Sequence, residues 1–416
     1  MDAPGAREGE APGGDVPPTP SPDAGPHVLL IAPSGSYRVG DFLEAAGALG
    51  CRATVVTDAP PAIPGASITI ALDEPATAAD RILACVEEGM TAVVGTDGTA
   101  VGVAAEVAHR LGLRAPSPAA VGVAGDKHRQ RIACREAGVP QPTFALIESS
   151  RSGEGWARFP AVVKPLDRTA SQGVVRVDDR GELVAAVGRV RDLVGDDGPL
   201  LVEALVPGQE VALEGLLRDG QLTVLRLFDK PDTPTGPTFP ETLLVSPARL
   251  AATVRDRVVE VVADAAEAMG LRNGPVHAEG LVDGDEVWFL ELAARTIGGL
   301  CSRALDHGGV GHEELVLRHA LGLPLPVLPE PVPMGILMLP VPRRGRVRAW
   351  RGLDRARAVD GVTDVIPSIA VGEEVLPLPG GDRYLGFVFA QGPTADAVEA
   401  TLRRAWACID VEITPA

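Results

Sequence analysis

The chain lacks the features that would place it in a membrane, outside the cell or along a nucleic acid. No uninterrupted apolar run is long enough to span a bilayer. The opening residues show no basic, apolar, small-residue order, which argues against a secretory signal. Five cysteines, Cys51, Cys85, Cys134, Cys301 and Cys408, lie far apart without metal-site spacing, so a reducing cytoplasm with each as a small buried side chain is expected. Basic residues are outnumbered, 38 Lys and Arg against 56 Asp and Glu, and the net charge of -18 opposes a broad nucleic-acid-binding surface. A small anionic nucleotide is not opposed, because local lysines and arginines decide that. Neither Gly-x-Gly-x-x-Gly nor a Walker lysine pattern accompanies the turn at Pro33-Ser34-Gly35, and no internal repeat explains the chain.

There is enough apolar material for more than one core. At 416 residues and 45% hydrophobic content, two or three domains are expected. Residues 1–26 are rich in Pro and Gly without apolar periodicity and read as a disordered tail. Beyond them HVLLIAPSG (27–35) is an apolar strand, DFLEAAGALG has helical spacing, CRATVVTDA is a second strand, and TAVVGTDG (91–98) precedes a helix over 99–111. That alternation predicts an α/β domain over 27–114, since parallel strands need crossovers that cover both faces. Asp97 ends a strand where such sheets place ligands, and it suits a helix cap equally well.

A small module is predicted over 115–202, with a helix around GDKHRQRIACREAG, strands around PTFALIE and FPAVVKP, and a helix over 181–193. The polar loop KPLDRTASQGV (164–174) leaves a strand ending in Lys164. Small residues there let backbone amides approach phosphate oxygens, although an ordinary hairpin has the same pattern. Lys127 supplies a second cation on a helix whose DKHRQR stretch looks exposed apart from Ile132. PLLVEALVPGQEVALEGLL (199–217) alternates around a bend at Pro207-Gly208; backbone groups of 203–206 could hold a cofactor base, with Glu210 near its sugar. VLRLFDKPDTPTGPTFPETLLVSP (224–247) carries Arg226, Lys230 and Glu241 around a loop that Phe228 and Phe239 could close over a substrate. A structural helix is expected over about 247–269. From 331 onward, strands at MGILML, GRVRAW, DVIPSI, EVLPL and YLGFVFAQG and a helix over 394–407 describe an α+β lid or buttress without obvious chemistry.

The most informative pair of segments is GPVHAEG (274–280) and VWFLELAAR (287–295), joined by VDGDE. Alternation puts His277 and Glu279 on one face, and a three-residue loop centred near Asp285 would set Glu291 directly across from Glu279. Two buried like charges that close need cations between them. Magnesium is a hard ion that prefers oxygen ligands and is held in nucleotide sites by one or two carboxylates plus phosphate oxygens. A hairpin with water-facing acids is the alternative; the apolar strands around both glutamates, followed by Arg295 and Ile297-Gly298-Gly299, favour the metal–phosphate site. His277 would line it, as an orienting or proton-removing group or as a packed histidine, while Trp288 is expected in the core.

In order, KHRQRIACREAGVPQP (127–142), FPAVVKP, DRTASQG (167–173), LLVEALVPGQEVALEG (200–215), GPVHAEG and FLELAARTIGG (289–299) resemble the ATP-grasp superfamily of carboxylate–amine ligases over roughly 27–410. Within it the chain is most similar to L-amino acid ligases, through FDKPDTPTGPTFPETLLVSPARL, GPVHAEG and the C-terminal pattern ending in GFVFAQG. The resemblance implies an α/β N-terminal domain (27–114), an α+β small domain (115–202), a large-domain core (203–330) and a C-terminal subdomain completing it (331–416), with ATP between two antiparallel sheets. It implies that Lys127 and Lys164 contact phosphates, as would the loop residues Ser171, Gln172 and Gly173; Glu203, Ala204, Val206 and Glu210 would border adenine and ribose. Glu279 and Glu291 would hold magnesium, two ions with manganese as an alternative, and Arg295 would face the acyl phosphate with His277 beside it. Lys230, Phe239, Glu241, Gly298 and Gly299 would meet the substrates. The partners implied are a small carboxylate and an amine, at least one an L-amino acid, with no nucleic acid or membrane, and a homodimer is compatible with the family. Ala293 stands where the family commonly has Asn, which puts the second magnesium's usual ligands in question. Ligation of a non-proteinogenic acid in specialised metabolism, acyl phosphate formation on a small carboxylate, and a non-catalytic nucleotide sensor are the alternatives.

Overall fold

The computed structural model describes residues 25–59, 67–148, 153, 155–195, 197–305, 308–381 and 383–415. The tail expected over 1–26 lies outside them except for its last two residues. Among the described residues no helix is long and apolar enough to cross a membrane.

The chain opens with β1 (His27–Ile31), α1 (Val39–Ala48), β2 (Arg52–Thr57), β3 (Ser67–Thr69), α2 (Pro75–Leu83), β4 (Ala92–Gly95) and α3 (Gly98–Arg110). These strands form a parallel sheet in the order β3-β2-β1-β4, as the alternation predicts. All of β1 is buried because both its faces are covered. Leu29 and Ile31 pack with Val103 and Val107 of α3. Val28 and Leu30 pack with Phe42 and, from far downstream, Leu315 and Val316. The N-terminal domain therefore shares a core with the rest of the molecule.

Next come α4 (Pro118–Ala124), α5 (Lys127–Ala137), β5 (Phe144–Ile147), β6 (Ala161–Pro165), β7 (Val175–Val177), α6 (Arg180–Val194) and β8 (Leu200–Ala204). The antiparallel sheet β5-β8-β6-β7 buries Leu183, Ala186, Val187 and Val190 of α6 in a core of its own. Helices α4 and α5 do not belong to that core. Ala120, Ala124 and Cys134 pack instead with Val258, Val262 and Ala265 of the long helix over Ala252–Ala268.

The large domain begins with β9 (Gln209–Arg218), β10 (Gln221–Asp229), β11 (Leu243–Ser246), α7 (Ala252–Ala268), β12 (Gly274–Asp283) and β13 (Glu286–Ala293). After a 3₁₀ turn (Cys301–Ala304) follow α8 (His312–Ala320), β14 (Met334–Leu339), β15 (Gly345–Arg351), α9 (Leu353–Arg357), β16 (Val362–Pro367), β17 (Glu374–Val375), β18 (Gly386–Gln391), α10 (Ala395–Cys408) and β19 (Asp410–Thr414). One antiparallel sheet runs β13-β12-β9-β10-β11-β14-β18-β16, with β17-β15-β19 as a small satellite. The C-terminal region thus continues the central sheet. Helix α7 starts at 252, not 247, because the preceding residues are tied to β10: buried Asp229 accepts from the Arg249 amide at 3.0 Å and its Nε at 2.5 Å. The cysteines are all free, but only Cys134 and Cys301 are buried and Cys85 is exposed, so the buried environment expected for each holds for two.

Gly335 marks the place where the C-terminal strands close onto the sheet. A Cβ there would lie 2.8 Å from the Leu244 carbonyl oxygen, with Val398 and Leu402 of α10 equally near. The backbone cannot yield without breaking the β11–β14 pairing. Gly335→Ala is expected to destabilise the fold by about 1–3 kcal/mol through overpacking, read as a lower urea midpoint; an unchanged midpoint would contradict this closure.

Candidate active site

Glu279 and Glu291 are cross-strand partners, by a route other than the expected one. The connection is two residues long: Asp283 pairs with Glu286, and Gly284 takes the first central position with φ +61°. Continued unbroken, that register would set Glu279 against Leu290. A bulge restores the pair, with Gly280 opposite Phe289 and Glu279 opposite Glu291. Gly280 permits the close approach, since a Cβ there would meet the Trp288 carbonyl at 3.0 Å. Val287 and Phe289 face the core while Trp288 is half-exposed, contrary to the core position expected for it.

Helix α5 stitches this bulged edge. Its inward face carries Lys127, Gln130, Arg131 and Cys134, all buried, so the stretch that looks solvated in the sequence is the buried one. The spacing i, i+3, i+4, i+7 defines a helical face; polar side chains on it conceal the signal. Arg131 donates to the Leu290 carbonyl at 2.6 Å, and the Gln130 amide brackets Leu292 by accepting from its N–H and donating to its carbonyl, both at 3.1 Å. Lys127 donates to the Arg168 carbonyl at 2.5 Å and lies 3.3 Å from Glu291.

Glu203 sits between Arg131 at 2.6 Å and Lys164 at 2.7 Å. Burial pushes its carboxyl up, but those two cations outweigh burial and hold it at about 2. Burial lowers the Lys164 ammonium against the opposing pull of Glu203. With both oxygens engaged, the Glu203 carboxylate orients Lys164.

A second cluster surrounds Lys230, whose ammonium contacts Glu210 at 2.6 Å, Glu241 at 2.5 Å and Glu279 at 2.8 Å. Burial, partly offset by Lys230 and reinforced by the neighbouring acids, raises Glu210 to about 7. Burial likewise raises Glu241. Glu279 is the ionised member: Lys230 and His277 overcome its burial and keep it well below the usual carboxylate range. His277 bonds through Nδ1 to Glu214 and through Nε2 to Glu279 at 3.3 Å. Burial lowers this imidazole, yet the two carboxylates win and raise it to about 9. Both its nitrogens are thus engaged by carboxylates, an arrangement that suits the orienting role.

Glu214 is fully buried and also accepts from the Ile297 N–H at 3.1 Å, joining β9 to the loop after Arg295. Arg295 is half-buried, donates to the Thr296 carbonyl at 2.8 Å, and has no carboxylate partner among the described residues.

Of the predicted site residues, all but Gly173 line one cavity of about 1270 Å³. Gly173 is buried beside it, and its amide donates to the Pro379 carbonyl at 2.9 Å instead of pointing at a ligand. Gln172 reaches the Gly380 carbonyl at 3.4 Å, so the small-residue loop is latched to a C-terminal loop. Ser36, Asp97 and Gly98 of the N-terminal domain and Met338, Tyr384 and Phe387 of the C-terminal strands complete the walls. The C-terminal region thus contributes to the site, which its sequence does not reveal. Asp97 precedes α3 but accepts from Thr96 Oγ1 at 2.8 Å without capping the helix.

The donor set suits a hard divalent ion, because carboxylate oxygens outnumber the cations facing them. Candidate ligand atoms of Glu210, Glu241 and Glu279 lie within 4.8 Å of one another. Glu291 is not part of that group; it faces the same cavity against Lys127. Arg38, Arg131, Glu214 and Gln130 are the site-forming residues that sequence reasoning misses.

Comparison with known proteins gives matches over the central and C-terminal parts of the chain. Residues 157–304 match an ATP-grasp domain, and residues 337–414 match an L-amino acid ligase C-terminal domain 2. Alanine–anticapsin ligase of Bacillus subtilis (strain 168) is 26% identical over 235 residues, 50% of this chain and 49% of that protein, so the chain spans about half the length of this relative. D-alanine–D-alanine ligase B of Chromobacterium violaceum is 27% identical over 301 residues, 70% of this chain and 95% of the relative. In fold, the chain is similar to an L-amino acid ligase from Bacillus licheniformis, with a TM-score of 0.81 at 24% identity over 94% of this chain and 99% of that one.

The buried Arg131–Glu203–Lys164 group has a measurable signature. Glu203 is depressed from 4.5 to about 2, so its stabilising contribution is complete above pH 4.5 and is lost as pH falls toward 2. Glu203→Gln strands two buried cations and is expected to cost about 3–5 kcal/mol at neutral pH. Urea denaturation from pH 7 downward should show the difference from the parent protein shrinking below pH 4.5; a pH-independent difference would contradict the pairing.

Proposed function

The chain carries an ATP-grasp domain followed by an L-amino acid ligase C-terminal domain, and on that premise we propose that it is an ATP-dependent carboxylate–amine ligase. It would form an amide or dipeptide through an acyl phosphate and release ADP and phosphate, with an L-amino acid as one substrate. The observation carrying this reading is the convergence of Glu279, Glu291, Lys127, Lys164 and Arg295 on one cavity between the small and large sheets.

The carboxylate oxygen of the acid attacks the γ-phosphorus of ATP and ADP leaves; an amine then attacks the acyl carbon and phosphate departs. Lys127 and Lys164 lower the repulsion between two anionic reactants. Backbone groups of 203–206 border the adenine. Magnesium held by Glu279 and Glu291 would supply further neutralisation of the transferring phosphoryl group. His277, fixed between Glu214 and Glu279, aims the Glu279 carboxylate. Arg295 presents planar donors to the acyl phosphate and to the oxyanion formed by amine attack. The loop tied to Pro379 lines the cavity, and its closure over bound substrates would keep water from the mixed anhydride. An acid bulkier than alanine fits the same reading, because Phe239, Met338 and Phe387 make part of the wall apolar.

ADP formation with a matrix of amino acid pairs is expected to require both partners. The same rate with neither partner would argue against ligation. Glu291→Gln should reduce ATP turnover by about 100-fold or more with an unchanged melting temperature, and near-normal turnover would remove Glu291 from the phosphate site.

A further inference from the structure

The loop that follows β13 and carries Arg295 is gripped from two sides. Glu214 of β9 holds the Ile297 N–H at 3.1 Å. From the opposite side comes Arg38, at the entry to α1 in the N-terminal domain, with 1% of its surface exposed. One arm of its guanidinium donates to Thr296 Oγ1 and approaches the Ile297 and Thr96 carbonyls, each at 3.4 Å. The other donates to Glu313 of α8 at 2.7 Å, and the guanidinium carbon lies 5.1 Å from the centre of the Phe42 ring. Gly98, the first residue of α3, lies beside Arg295 itself; a Cβ there would be 3.4 Å from Arg295 Nε.

The N-terminal domain therefore touches the stem of Arg295 and binds the two residues after it. Stability alone does not account for Arg38. A buried ion pair replaced by apolar residues of similar volume is often no less stable, so what a guanidinium adds is direction: planar donors toward acceptors on separate elements. The elements joined are α1, α8 and the Arg295 loop, which are 258 and 275 positions apart from Arg38 in sequence at Thr296 and Glu313.

We propose that Arg38 is a positioning residue of the reaction, through which the N-terminal domain fixes Thr296 and Ile297 and so aims Arg295 at the acyl group. Its catalytic consequence rests on the ligase reading above; its grip on the loop does not. Misplacement of a group by about 1 Å costs on the order of 100-fold in rate. A displaced Arg295 would also leave the mixed anhydride open to water, so ADP would form without a matching amount of amide.

Arg38→Met, Arg38→Lys and Thr296→Val address this with three measurements: hydrogen exchange of the ligand-free protein, affinity for MgADP, and the ratio of ADP to amide formed. Arg38→Met is expected to speed exchange over 295–299 by about tenfold or more relative to the core strands. MgADP affinity should stay within about twofold while kcat falls about 100-fold and the ADP-to-amide ratio rises. Arg38→Lys should recover part of the rate, and Thr296→Val, which spares the Arg38–Glu313 pair, should change exchange and product ratio in the same direction by less. Unchanged exchange over 295–299 in folded Arg38→Met, or a rate loss explained wholly by MgADP affinity, overturns the proposal. If Arg38→Met does not fold, unchanged exchange and product ratio in Thr296→Val overturn it. Absence of amide from the parent protein with every pair counts against the ligase reading, and the exchange measurement still decides the grip.

Discussion

Carboxylates at and behind the cavity are met by cations arriving from other elements. Glu203 on β8 meets Arg131 from α5 and Lys164 from β6. Glu291 on β13 meets Lys127, Glu279 on β12 meets Lys230 from the end of β10, and Glu313 on α8 meets Arg38 from the N-terminal domain. Removing ions from water costs several kcal/mol each even after relaxation, so none of these positions is tolerable until its partner is in place. The charges of the site are consequently paired only where the elements that carry them pack together.

That dependence also explains which parts are over-determined. Glu214, fully buried on a central strand, has its oxygens divided between His277 and the Ile297 amide. Through His277 it reaches Glu279, and through Ile297 it reaches the loop that Arg38 holds from the other side. A continuous set of polar contacts thus runs from the N-terminal domain to the carboxylate cluster. The cluster itself is unbalanced, with one ammonium among three acids; burial, with the neighbouring acids adding to it, raises Glu210 to about 7 while Glu279 stays charged. Glu210, expected beside a sugar, is here bonded to Lys230, and the two roles compete for the same oxygens.

Much of this was legible because strands advertise themselves by alternation and glycine turns. Alternation pairs Glu279 with Glu291, as the structure does, but only because two departures cancel: the turn is one residue shorter than expected and the bulge adds one residue. Periodicity cannot locate a bulge, because the inserted residue is chemically ordinary. Helix α5 conceals its buried face for the opposite reason, since charge normally marks a solvated face. Its buried Lys127, Gln130 and Arg131 are paid for by partners on β8, β13 and the loop at 168, none of them visible in a local window. Arg38 and Glu214 give no local signal for the same reason, their partners being elements far along the chain.

The two ends of the chain carry few local chemical signals, and yet they enclose the chemistry. The N-terminal domain supplies Arg38 and Gly98 against the Arg295 loop, and the C-terminal strands supply Phe387 beneath Gly299, where a Cβ would lie 3.2 Å from the ring. Gly299 has φ +61°, so both its conformation and its clearance demand the absence of a side chain. Gly299 is thus fitted against the aromatic wall, whereas exposed Gly298 has room for a side chain beside Arg295. The same loop is therefore fixed from two sides, by Arg38 of the N-terminal domain at Ile297 and by Phe387 of the C-terminal strands at Gly299, so the position of Arg295 depends on regions at opposite ends of the fold.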